Sequence, residues 1–128
     1  MNWRIRFLTS GTFKPTTSGS IDVFLVGGGG GAYDPSTGSG GGGGGYTATY
    51  KNIQLVANTN YTVTVGAGGI GADGRSTSAF GHTVSGGGQG RSNAGGAGGS
   101  GGGGAYDGGG SDGSDGTKHN TYYPSGKG

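Results

Sequence analysis

The sequence predicts an all-β fold in which a small antiparallel sheet or sandwich is combined with packed polyglycine II helices, with no long α-helix. Three observations lead there. Segments rich in Val, Thr and Tyr stand on either side of long glycine runs. Glycine makes up 39 of 128 residues, and all but Gly11 and Gly19 lie from Gly27 onward, partly in a triplet repeat. No segment carries a 3.6-residue apolar period with helix caps.

Along the chain, Trp3, Ile5 and Phe7 alternate with Asn2, Arg4 and Arg6, the two-residue period of a half-buried strand. "SGTFKPTTSGS" then supplies turn chemistry through Gly, Pro, Ser and Thr. "SIDVFLV" at 20–26 is nearly continuous apolar sequence, expected of a strand covered on both faces. "YTATYKNIQLV" at 46–56 and "NYTVTV" at 60–65 read as strands that pair as a hairpin across "ANTN". The expected organisation is a single domain over 1–128. Residues 1–26 and 46–65 form its strand-rich part, 27–45 and 66–117 are polyglycine II tracts, and 118–128 is a tail or exchanged segment.

A Gly/Ser-rich stretch is ordinarily a flexible linker. Here the run from Gly27 to Gly45 joins two strands that need one another to bury apolar surface, so it belongs within one domain. The later tract "AGGAGGSGGGG" at 94–104 repeats in threes, and one glycine phase runs through Gly95, Gly98, Gly101 and Gly104. It resumes at Gly110, Gly113 and Gly116 after an interruption at Asp107. Three residues per turn is the period of polyproline II geometry, which has no internal hydrogen bonds. Every backbone N–H and C=O must then be satisfied sideways. Pure runs such as Gly27–Gly31 and Gly40–Gly45 suit inner helices of a bundle, and AGG and SDG triplets suit outer ones. Ordering glycine is expensive, so the bundle requires anchorage in apolar strands or in other subunits.

Composition narrows the function. A net charge of +2, with eight scattered basic residues, forms no stripe for nucleic acid. The chain has no cysteine, no apolar run long enough to span a bilayer and no secretory signal at "MNWRIRFLTS". If the protein works outside a cell, another route takes it there, such as assembly into a particle followed by lysis. "GAGGIG" at 66–71 matches a dinucleotide fingerprint, but "ADGRSTSAFG" after it offers no helix for the pyrophosphate. "GGIGADGRS" at 68–76 resembles a calcium-binding nonapeptide that occurs once and carries Arg75 at its apolar position. His82 and His119 lack metal-ligand spacing, and glutamate is absent. The expectation is a non-enzymatic protein without cofactor or metal.

The residues that interrupt glycine are the informative ones. "AYD" occurs at 32–34 and at 105–107, each time after a glycine run, and "KHNTYYPSG" at 118–126 adds paired tyrosines. Tyrosine on a rigid support offers a large amphipathic contact at low entropic cost. Tyr33, Asp34, Tyr106, Asp107, Tyr122 and Tyr123 are the candidate receptor-binding residues, and Trp3, Ile5 and Phe7 the candidate assembly residues. The tyrosines are equally suited to closing the ends of the bundle.

"SIDVFLVGGGGGA", "GGGGGGYTATYKNIQLVANTNYTVTVGAGG", "GRSTSAFGHTVSGGGQG" and "GGAGGSGGGGAYDGGGSDGSDG", in this order, resemble the glycine-rich domain of bacteriophage tail-fibre proteins and tip adhesins over residues 10–117. The resemblance implies strands supporting a polyglycine II stack whose end loops contact the host surface. By position those loops are "AYDPSTGS" and "AYDGGGSDGSDGTKHNTYYPS". It further implies a virion location and a bacterial cell-surface receptor, protein or glycan, as partner. Members of that family usually continue into further glycine runs and a closing strand, so the expectation is that a neighbouring copy supplies one or that the domain is a shortened variant used for assembly. A self-assembling extracellular filament subunit is the alternative, with the chain itself as partner. A flat polyglycine face could also order ice, but no regular Thr or Ala array accompanies it.

Overall fold

The computed structural model describes residues 3–33, 39–91, 95–96, 98–100 and 102–104, which contain no α-helix. The strands are β1 (Gly11–Phe13), β2 (Gly19–Val26), β3 (Thr47–Leu55), β4 (Tyr61–Thr64), β5 (Thr77–Ala79) and β6 (His82–Val84). They form two antiparallel sheets, one ordered β1-β4-β5-β6 and the other a β2-β3 ribbon.

The sheets share one small core. Alternation along β2 turns Ile21, Val23 and Leu25 inward, and Leu25 packs with Val63, Ala79 and Val84. Phe7, Phe13, Val65 and Phe80 close around this cluster. Tyr50 of β3 stacks on His82 of β6, with ring centroids 3.8 Å apart, and so ties the two sheets at a second place.

The strand expectations are corrected in four places. Residues 3–7 form no strand: the Phe7 ring lies over Gly11, and the Ser10 hydroxyl accepts a bond from the Val65 N–H, which holds the segment beside β4. β2 is not covered on both faces, since Phe24 is 65% and Val26 47% exposed. β3 and β4 do not pair as a hairpin. Asn58, with φ 58°, donates its N–H to the Pro15 carbonyl, Ala57 N–H reaches Ser18 Oγ, and the chain crosses from one sheet to the other. Finally, strands interrupt the expected glycine tracts and turn segments. β1 lies within "SGTFKP", and β5 and β6 form a hairpin on the two-residue loop Phe80–Gly81. Both loop residues have positive φ (51° and 78°), as a type I′ turn requires. Phe80 bears this strain because its ring is held between Phe13 and Tyr61.

The glycine runs continue the strands as a lattice of three-residue period. At the end of the β2-β3 ribbon, Val26 is opposite Thr47, after which Gly27 donates to the Tyr46 carbonyl and Gly30 to Gly43. The next phase of the same segment points elsewhere: Gly28 donates to Arg75 and Gly31 to Ala72. The carbonyls of Gly28 and Gly31 accept from Gly87 and Gly90. Each set recurs every third residue, so one segment serves several neighbours at once. The run Gly27–Gly45 is therefore structure and not a tether.

Segment 85–91 is the hub. It bonds to 27–33, to 40–46 through Gly43 and Tyr46, to 72–75 through Gly74, and to the last segment through Ser100, Gly99 and Gly103. Gly86, Gly87, Gly88 and Gly90 are all buried. The expected order of layers holds for Gly27 and Gly28, which are buried, but not for the run Gly40–Gly45 or the AGG glycines. Gly41, Gly42 and Gly44 are exposed, while Gly95, Gly96, Gly99 and Gly102 are buried, because bonds to several segments, and not purity of composition, place a run inside. The SDG triplets lie outside the described residues.

Exposure is nevertheless a poor guide to which glycines are needed. A Cβ on Gly42 would overlap the Gly30 carbonyl, whereas one on the adjacent Gly41 would meet nothing. Gly42→Ala is expected to cost about 3 kcal/mol, and Gly41→Ala to stabilise by about 0.4–1 kcal/mol through the unfolded chain; chemical denaturation of both variants measures the contrast. Thr77, buried, accepts the Gly66 N–H at 2.9 Å and donates to the Val26 carbonyl at 2.7 Å. Thr77→Val keeps the shape, strands both backbone groups, and is expected to lower stability by about 1–3 kcal/mol in the same assay.

Candidate functional site

The polyglycine segments leave the sheets after Val26, Thr64 and Val84, and their far ends are bonded to one another. That end is where side chains return. Tyr33 follows directly on segment 27–31, and its N–H donates to the Gly90 carbonyl at 2.8 Å. Its side chain stays 58% exposed. Ile70 sits at the reversal between segments 66–69 and 72–75 and is 99% exposed. Gly71 makes this reversal with φ 58°, and a Cβ there would meet the Tyr33 carbonyl, so the two exposed side chains belong to adjoining turns.

Beneath them lies a polar clamp. Gln89 is the one residue of 86–90 with a side chain, and it is buried. Its N–H donates to Asp73 Oδ1 at 2.7 Å, its amide Nε2 donates to the Gly71 carbonyl, and its Oε1 accepts from Arg91 Nε at 3.2 Å. The Gln89 carbonyl in turn accepts the Gly96 N–H at 2.6 Å. The hub segment thus grips the Ile70 turn, and an exposed apolar side chain stands on a fixed base. Gly104, bridged to Arg91, reaches the same end.

Of the residues expected to contact a receptor, Tyr33 is here and exposed. Asp34, Tyr106, Asp107, Tyr122 and Tyr123 lie outside the described residues. Trp3, Ile5 and Phe7 are remote from this end, against the sheets. Ile70 and the Asp73–Gln89–Arg91 clamp were not expected. An isoleucine isolated among glycines and a glutamine inside "GGGQG" were the available signals, and both were lost among the glycine matches. Among the described residues no three His, Cys, Asp or Glu side chains gather in a way that could hold a metal.

The clamp makes a prediction. Gln89→Leu removes the side-chain bonds to Gly71 and Arg91 while keeping bulk, so the Ile70 turn loses its side-chain tie to the hub segment. Hydrogen exchange at residues 69–74 is expected to quicken in this variant, with the Gly27 and Gly30 amides still protected.

The family model described as "Glycine-rich domain" matches residues 8–128. Comparison with curated proteins and with solved structures finds no match. A match over nearly the whole sequence establishes that the chain belongs to this glycine-rich domain family.

Proposed function

We propose that the protein is a non-enzymatic structural and adhesion module, a bacteriophage tail-fibre component that presents the end of its glycine bundle to a receptor on the bacterial surface. The observation that carries this reading is the separation of tasks along the bundle. Its body spends almost all of its recognition capacity on backbone-to-backbone bonds, whereas Tyr33 and Ile70 stand exposed at the end remote from the core. Exposed aromatic and aliphatic groups on a rigid base lose little entropy on contact, which suits recognition of a protein or glycan. The location that follows is the virion. A second reading, a self-assembling extracellular filament subunit, draws support from the edge of β2 that has no strand partner among the described residues.

The test is adsorption. Tyr33→Ala combined with Ile70→Asp is expected to reduce binding to receptive bacterial cells at least tenfold with the melting temperature unchanged. Equal binding by the double variant and the parent would remove the receptor reading from this end of the molecule.

A further inference from the structure

A groove of about 1160 Å³ runs between β2 and the N-terminal segment. One wall is β2, the other is Trp3–Leu8, and the floor includes Phe13, Val63, Ala79 and Phe80. We propose that this groove is a strand-acceptor site, and that it takes residues Trp3–Leu8 of a second copy of the chain. The inference goes beyond the receptor reading and does not depend on it.

Three features identify an extended strand as the occupant. β2 is eight residues long and pairs with β3 on one edge. On its other edge it has no strand partner among the described residues, and only the Val26 carbonyl is engaged there, by Thr77. Such an edge pairs readily with a further strand. Phe24 and Val26 leave an apolar surface beside it.

The chemistry required of that strand is alternating apolar and basic. Ile21, Val23 and Leu25 point into the groove floor, while Asp22 and Phe24 point outward. Trp3, Ile5 and Phe7 match the inner set. Arg4 and Arg6 match the outer one, where Asp22 offers a carboxylate and Phe24 a ring face. Ile5 falls opposite Val23 whether the strand enters parallel or antiparallel, since both alignments pass through the middle of each triplet.

The chain's own copy of this segment does not fill the position. It runs along the far wall, and the backbone of residues 3–9 makes no hydrogen bond to any described residue. Its connection to β1 is short. Ser10 is bonded to Val65 and Gly11 is paired with Val63, which keeps the segment across the groove from β2. Leaving that wall forfeits the packing of Phe7 and of Trp3 on Phe13, but no backbone ladder. Swinging out on Leu8 and Thr9, both exposed, it can enter a neighbour's groove and form a ladder there. Exchange of one identical segment between copies is a low-cost route to association.

The chain has no native cysteine, so the test is direct. Ile5→Cys copies, enlarged by a tag, are mixed with Val23→Cys copies under mild oxidation at micromolar concentration. The expected product is a mixed disulfide dimer, in excess over links within either population. No mixed dimer, with Gly87 and Gly90 amides protected in both variants, would overturn the proposal. So would a double variant that links only within single chains. Should either cysteine variant fail to fold, Asp22→Arg and the combined change Arg4→Glu with Arg6→Glu test the charge contact, since Asp22 faces Arg4 in parallel entry and Arg6 in antiparallel entry. Each alone is expected to weaken association roughly tenfold in light scattering, and the two together to recover it. Association unchanged in both variants would likewise refute the exchange.

Discussion

The structure depends on backbones approaching so closely that a carbonyl occupies the place where a neighbour's side chain would begin. A Cβ on Gly28 would run into Ala67, on Gly74 into Gly28, on Gly86 into Gly74, and on Gly87 into Gly43. Because the contacts link segment to segment, the requirement for glycine propagates through the bundle. Ordering glycine costs more backbone entropy than ordering any other residue, and a lateral hydrogen bond returns only about 0.5–1.5 kcal/mol. Such a bundle holds only where something else fixes its ends.

The sheets do this without a seam. The β2-β3 ribbon passes into the pair 27–31 and 40–46 with its cross-chain bonding unbroken, from Val26 and Thr47 to Gly27 and Tyr46. Thr77 stands at the same level and joins β5, the end of β2 and the start of segment 66–69 through a single hydroxyl. The small core of Leu25, Val63, Ala79 and Val84 therefore does more than bury apolar area. It sets the spacing from which the glycine segments set out.

Much of this was legible in the sequence. Strands at 20–26, 46–56 and 60–65 were visible from β-branched and aromatic residues, and the triplet phase implied polyglycine II geometry before any coordinates. Pairing was not legible. Whether β3 joins β4 or β2 depends on Asn58 reaching Pro15 and Ala57 reaching Ser18, bonds to residues some forty positions away. The β5-β6 turn was missed because phenylalanine seldom takes positive φ, and only the rings of Phe13 and Tyr61 make it tenable here. The run Gly40–Gly45 lies further out, and the AGG glycines further in, than their composition suggests, because composition does not say how many neighbours a segment will have. At the end of the bundle Tyr33 could be found from its place after a glycine run. Ile70 and Gln89 drew meaning only from the reversal at Gly71 and the neighbours it brings.

The three-residue period also governs how such a protein can change length. Adding one or two residues to a glycine segment turns every later donor by one or two thirds of a turn, toward the wrong neighbour. Adding three restores each donor and lengthens the segment by about 9 Å. In the gene this is a step of nine nucleotides. The reach of each end loop is therefore quantised, and lineages can lengthen or retract Tyr33 or Ile70 by whole turns while the rest of the lattice keeps its bonds.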